Sequence, residues 1–283
     1  MTELQPTVVL TREQIDFYHA EGYLVLPELM PAQEIESMRE IYDRLFAQQA
    51  GRKTGEFFDL GGTDEDDKPK IAQMMNPSKY ATELQGQWQF KVNAAAVARQ
   101  LQGQASYFRQ DLAICKPPKS PAPTWWHQDA AYNDPKFDYE NLNFWIPLQP
   151  ATLDNGCLQF VPRSHASKAI LKHHRPDPRI EGIECLEVDL DKAVACPLPP
   201  GGCTIHHARL LHFAGPNNSN GPRRAYILEY EVPPVLRAVP HRYNWNDNRQ
   251  TRRARQFGRF SNRVSNAMHR LGTRAKRLLG ATR

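Results

Sequence analysis

No stretch of 18 consecutive apolar residues occurs in the 283-residue sequence, so no membrane-crossing helix is expected. The opening residues, MTELQPTVVLTREQ, lack a basic start followed by a long apolar run, and no secretory signal is expected. The cysteines are five, an odd number, at 115, 157, 185, 196 and 203, and none forms a CxxC pair. That pattern argues against a disulfide framework or a zinc ribbon and fits a reducing cytoplasm. Internal repeats are absent. No acidic residue follows Asp247, whereas residues 249–283 contain 11 Lys or Arg. The formal charge of +5 is therefore the sum of a +11 tail and a body, residues 1–248, of −6.

What is present describes a folded chain. Apolar residues make up 40% and charged residues 24%, ordinary values for a globular protein of a size that needs no staples. Thr11-Arg12-Glu13-Gln14 reads as a capping box opening a short helix that ends at Gly22. Tyr23–Leu26 reads as a strand. Pro31 suits the first turn of a helix over residues 32–48, with Ile35, Met38, Ile41, Tyr42 and Leu45 on one face. GGTDEDDKP at 61–69 is a loop. From about residue 105 short apolar runs alternate with turn residues, and strands are predicted over 106–115, 142–148, 157–161, 203–208 and 225–232. The Pro-rich 116–124 joins the first of these to Trp125. The expected fold is mainly β with flanking α-helices, a jelly roll or double-stranded β-helix of the cupin type, in one domain over 1–248. A basic tail follows over 249–283. In it Phe260, Val264, Ala267, Met268, Leu271, Ala275 and Leu278 share one helical face, flanked by arginines. Such a helix suits docking on the body, a sister copy of the chain or an anionic partner; nucleic acid is not expected.

The chemistry begins at His127-Gln128-Asp129. In a strand, residues i and i+2 share a face, so an imidazole and a carboxylate could reach one metal ion. With ten histidines in the chain, chance supplies an HxD spacing about half the time, so the pair alone is weak. His212 adds a third group. Two histidines and one carboxylate form the ligand set of non-heme iron oxygenases, which leaves coordination positions open. His206 and His207 compete for the same role, and spacing does not choose among the three. Arg223 and Arg224 follow. An arginine suits such a site because 2-oxoglutarate is a dianion whose far carboxylate a guanidinium can clasp. Adjacent strand residues face opposite ways, so one of the two points inward.

Several motifs in order resemble the phytanoyl-CoA dioxygenase family over about residues 11–230: FYHAEGYLVLPEL, WHQDAAY, NFWIPL, DNGCLQFVPRSH and HHARLLHFAGPNNSNGPRR. The resemblance implies metal ligands at His127, Asp129 and His212, a carboxylate-binding arginine at Arg223, and co-substrate contacts at Trp145 and Lys70. It implies Fe(II) as the metal, with 2-oxoglutarate and O2 as co-substrates. The expected reaction is hydroxylation of a C–H bond in a small organic molecule, with release of succinate and CO2. Related halogenases lack the carboxylate kept here as Asp129, which favours hydroxylation. Tyr132 could line the substrate pocket. Arg163 stands where the family often has glycine, which suggests a loop shaped or charged for a particular substrate. A rival reading keeps the fold and metal but makes the protein a non-catalytic sensor; succinate release separates the two.

Overall fold

A computed structural model describes residues 4–63 and 65–255. The tail face predicted between Phe260 and Leu278 lies outside the described residues. At the front, the Thr11 hydroxyl accepts from Gln14 N at 3.3 Å and the Gln14 side chain accepts from Thr11 N at 2.9 Å. This reciprocal cap opens α1 (Arg12–Glu21). The helix stops at Gly22, whose φ of 86° favours glycine. A Cβ there would also lie 2.3 Å from His165 Nδ1. After β1 (Tyr23–Leu26), α2 (Ala32–Ala47) buries Met38, Ile41, Tyr42 and Leu45. Then come β2 (Phe57–Asp59), β3 (Ala72–Met75) and a helix absent from the sequence reading, α3 (Gln89–Gln102).

The rest is strand. In order these are β4 (Tyr107–Lys116), β5 (Thr124–His127), β6 (Phe137–Asp138), β7 (Asn141–Pro147), β8 (Leu158–Phe160), β9 (His173–His174) and β10 (Glu184–Cys185). They continue with β11 (Val194–Cys196), β12 (Cys203–His207), β13 (His212–Ala214), β14 (Arg223–Glu231) and β15 (Val235–Leu236). All pairings are antiparallel. A seven-stranded sheet runs β1-β12-β7-β14-β4-β3-β2, and a four-stranded sheet runs β11-β8-β13-β5. The two form the jelly roll, with β9/β10 and β6/β15 as small ribbons.

Strand alternation decides what each face of the large sheet does. On β7, Leu142, Phe144 and Ile146 join the core formed with α2 and α3, as do Cys203 and Ile205 of β12 and Tyr226, Leu228 and Tyr230 of β14. Burying a side chain the size of Phe144 is worth about 1.5–3 kcal/mol. The intervening residues face the small sheet. Trp145, Ala225 and Ile227 pack there with Leu158, Phe160 and Ala214. The inward face of the large sheet thus forms one wall of a cavity, and β5 and β13 of the small sheet form the other.

Candidate active site

His127 and His212 are direct cross-strand partners on β5 and β13, with ring centroids 4.1 Å apart. Each Nδ1 lies against a carbonyl two residues back: His127 on Trp125 O at 2.7 Å, and His212 on Leu210 O at 3.0 Å. A proton donated from Nδ1 leaves each Nε2 with a free lone pair, the form a metal needs. Both Nε2 atoms face Asp129 Oδ1, at 3.3 Å and 3.6 Å. One ligand atom from each of the three residues lies within 4.8 Å of the others, so the set could hold one ion.

Strand alternation is not what brings His127 and Asp129 together. Strand β5 ends at His127, and Asp129 opens a 3-10 turn, Asp129–Tyr132. Ala130 N donates to Ala208 O at 2.9 Å, which fixes the turn so that the carboxylate comes back toward the imidazoles. The other carboxylate oxygen, Oδ2, accepts from Asn143 Nδ2 at 2.6 Å and lies 3.2 Å from His206 Nε2. Burial would raise the Asp129 carboxyl, but His212, His127 and His206 beside it hold it well below the usual range. Burial and the neighbouring His127 push His212 well down. His206 therefore contacts the far side of the carboxylate. His207, one residue on, faces away and meets Glu140 at 2.7 Å.

Deeper in the cavity, Arg223 opens β14 and is 1% exposed. Its guanidinium sits 5.3 Å from the centre of the Trp145 ring, and its Nε and Nη1 have no hydrogen-bond partner among the described residues. Burying a cation without an acceptor is costly, so this group is built for an anion. Arg224 points the other way and binds Asp43 of α2 through two contacts, 2.6 Å and 2.8 Å. The cavity holds about 390 Å³. Leu112, Ile114, Leu158 and Ile227 make its inner wall apolar, and Arg109, Arg175, Glu181, Asn246, Arg249 and Arg253 line its outer part.

Three further residues need placing. Tyr132 lines the cavity, its ring 5.9 Å from that of His127 and its hydroxyl accepting from Ile183 N at 3.1 Å. Lys70 is not among the lining residues; its ammonium pairs with Asp66 at 3.1 Å on the 61–69 loop. Arg163 also stays outside. It adopts a φ of 66°, the conformation that favours glycine, and clasps Glu21 on the surface at 2.7–3.1 Å. Arg163 is not among the residues that line the cavity. Sequence reasoning missed Asn143, which shares an inward face with Trp145 and could have been found by strand parity. It also missed Lys116, fully buried, whose ammonium donates to the carbonyls of Ala122, Ala214 and Gly215 at 2.5–3.2 Å. Burial and the nearby Arg223 push its ionisation well down.

A jelly roll that gathers two histidines, one carboxylate and a buried, unmatched arginine defines the class of 2-oxoglutarate-dependent dioxygenases. The sequence profile of the phytanoyl-CoA dioxygenase family matches residues 18–225, and the chain belongs to that family. It is 25% identical over 251 residues to a phytanoyl-CoA dioxygenase of Arabidopsis thaliana, covering 77% of this chain and 88% of that one. The crystal structure of EvdO2 from Micromonospora carbonacea var. aurantiaca superposes with a TM-score of 0.75 at 35% identity, covering 86% of this chain and all of that one. EvdO2 complexed with 2-oxoglutarate gives 0.73 at 32% identity with the same coverage. The protein is an enzyme that works with Fe(II), 2-oxoglutarate and O2.

Proposed function

We propose that His127, Asp129 and His212 hold the iron, that Arg223 anchors the far carboxylate of 2-oxoglutarate beside Trp145, and that the enzyme hydroxylates a C–H bond of a small organic substrate. Arg223 is the observation that carries this reading. A guanidinium 1% exposed, with two nitrogens unpartnered among the described residues, lines the same cavity as the three ligand side chains. Its charge also closes the balance. Ferrous iron and the dianion cancel, and Asp129 and Arg223 cancel, so the loaded site is neutral and can be buried at modest cost.

Bound iron supplies the oxygen activation that no side chain here can provide. The side chains do the rest. The Nδ1 contacts to Trp125 and Leu210 keep both Nε2 lone pairs aimed at one point. Leu112, Ile114, Leu158 and Ile227 keep water away from the co-substrate. Tyr132 and the polar outer wall face whatever enters. Succinate and CO2 leave as co-products.

The test is direct. Purified protein with Fe(II), 2-oxoglutarate and O2 should release succinate, most strongly with a substrate from a small-molecule screen. His127→Ala, Asp129→Ala and His212→Ala should each lose metal binding and turnover while keeping the native circular dichroism spectrum. Metal binding at wild-type strength in His212→Ala would hand the distal position to His206 and sink this assignment.

A further inference from the structure

The two oxygens of Asp129 live in different surroundings. Oδ1 faces Nε2 of His127 at 3.3 Å and Nε2 of His212 at 3.6 Å. Among the described residues Oδ2 accepts from Asn143 Nδ2 at 2.6 Å and lies 3.2 Å from His206 Nε2, which meets the carboxylate as a donor when its ring carries the proton there. These two donors are direct cross-strand partners on β7 and β12, so two rungs of sheet hydrogen bonding fix their separation. His206 is 3% exposed and boxed by the rings of Phe160, 5.3 Å away, and His212, 4.5 Å away. Its Nδ1 has no partner among the described residues. The contact to Asp129 is thus the polar interaction that sets which way the ring presents its nitrogens.

The last torsion of an aspartate is broad and roughly two-fold, so the backbone alone does not decide which oxygen meets a metal. A carboxylate free to turn can also chelate through both oxygens and take a coordination position that 2-oxoglutarate needs. We propose that Asn143 and His206 are positioning residues that clamp Oδ2 and preset Asp129 as a one-oxygen ligand, leaving the remaining positions open for the co-substrate. This rests on the iron reading of the three ligand residues. It also gives His206 a role distinct from that of a rival ligand.

The experiment uses the full chain and Co(II) as the probe, titrated calorimetrically and by its ligand-field absorption, with 2-oxoglutarate added afterwards. Asn143→Ala should weaken Co(II) binding about 10- to 100-fold, the usual effect of losing an outer partner of a ligand. Asn143→Asp, which turns a donor into a second anion, should weaken it further. The amide nitrogen of glutamine overlies Nε2 of histidine, and that of asparagine overlies Nδ1. His206→Gln should therefore stay within about threefold of wild type while His206→Asn loses about as much as Asn143→Ala. In the weakened variants 2-oxoglutarate affinity should fall too, and the Co(II) spectrum should change; a structural role would move neither in protein whose metal-free melting temperature is unaltered. Wild-type Co(II) binding in both Asn143→Ala and His206→Asn overturns the proposal, as does equal loss in His206→Gln and His206→Asn. If instead wild type binds no Co(II), or His127→Ala and His212→Ala bind it unchanged, the metal-site reading itself falls.

Discussion

The inner and outer halves of the cavity are built by different means. Inside, His127, His212, Trp145 and Arg223 all project from strands, and hydrogen-bonded register sets their spacing. Outside, Asn246, Arg249 and Arg253 come from a chain segment past the end of the family match at residue 225. Side-chain contacts to loops hold that strap. Tyr243 Oη donates to Ala130 O at 3.4 Å, Trp245 Nε1 to Ala131 O at 3.2 Å, and Arg249 Nη2 to Glu181 at 2.5 Å. A strand wall confines each side chain to one of two directions. A strap depends on whatever surface it lands on. The first suits a fixed metal and co-substrate.

The largest expected effect tests the strand wall. Arg223→Gln should raise the 2-oxoglutarate requirement about 30-fold or more, because a partly buried carboxylate left unpaired costs on the order of 2–5 kcal/mol. Arg224→Gln should stay within about twofold in the same titration, since it breaks a half-exposed pair with Asp43 worth about 1 kcal/mol or less. Equal effects would mean that strand parity does not organise the inner half.

A smaller effect isolates the strap. A chain ended after Asn248 removes Arg249 and leaves Glu181, 5% exposed, without its cation. Urea unfolding should show a loss of about 1–3 kcal/mol, and Glu181→Gln in the shortened chain should recover part of it. Metal and 2-oxoglutarate binding should remain near wild type. Loss of metal binding from folded, shortened protein would show that the two halves are not separable.

An effect of comparable size to the strap's, but confined to acid, comes last. His173 joins the halves: its Nε2 accepts from Gln128 N at 3.2 Å, between His127 and Asp129, and the Trp245 ring packs 5.1 Å from it. Burial lowers its pKa to about 4 from an ordinary 6.5. The unfolded chain therefore takes up the proton first as pH falls. The stability held by neutral His173 is complete above about pH 6.5 and is lost progressively toward pH 4, by about 1–3 kcal/mol. Unfolding free energies measured across that range should fall more steeply for wild type than for His173→Gln. Parallel curves would remove His173 as the joint.

Legibility in the sequence followed the same division. Alternation along β7 and β14 separates Trp145 from Phe144 and Arg223 from Arg224, so strand parity alone narrows the choice. Helix α3 was harder to see because its buried face is carried partly by the small residues Ala94 and Ala98, which give a weak periodic signal. Lys70 and Lys116 show the limit. Both are lysines near loops; one pairs with Asp66 on the surface and the other is buried under three carbonyls. Nothing local distinguishes them, because the carbonyls that bury Lys116 include two 98 and 99 residues away.

The sequence by itself determined the ligand types, the β-rich class and the family, since these depend on residue chemistry and on patterns a few residues long. It also determined that one of the two arginines after Pro222 must face inward, which is a property of any strand. Tertiary structure decided that Arg223 and Trp145 share the inward face, and which histidine joins Asp129. Leu210 and the pairing of β13 with β5 aim His212 at the carboxylate, whereas β12 carries His206 to its far oxygen. It also decided that residues 246–253 belong to the cavity, because the carbonyls of Ala130 and Ala131 and the carboxylate of Glu181 lie where the chain returns. Those decisions rest on contacts between residues distant in the chain, which only the closed pair of sheets brings within hydrogen-bonding reach.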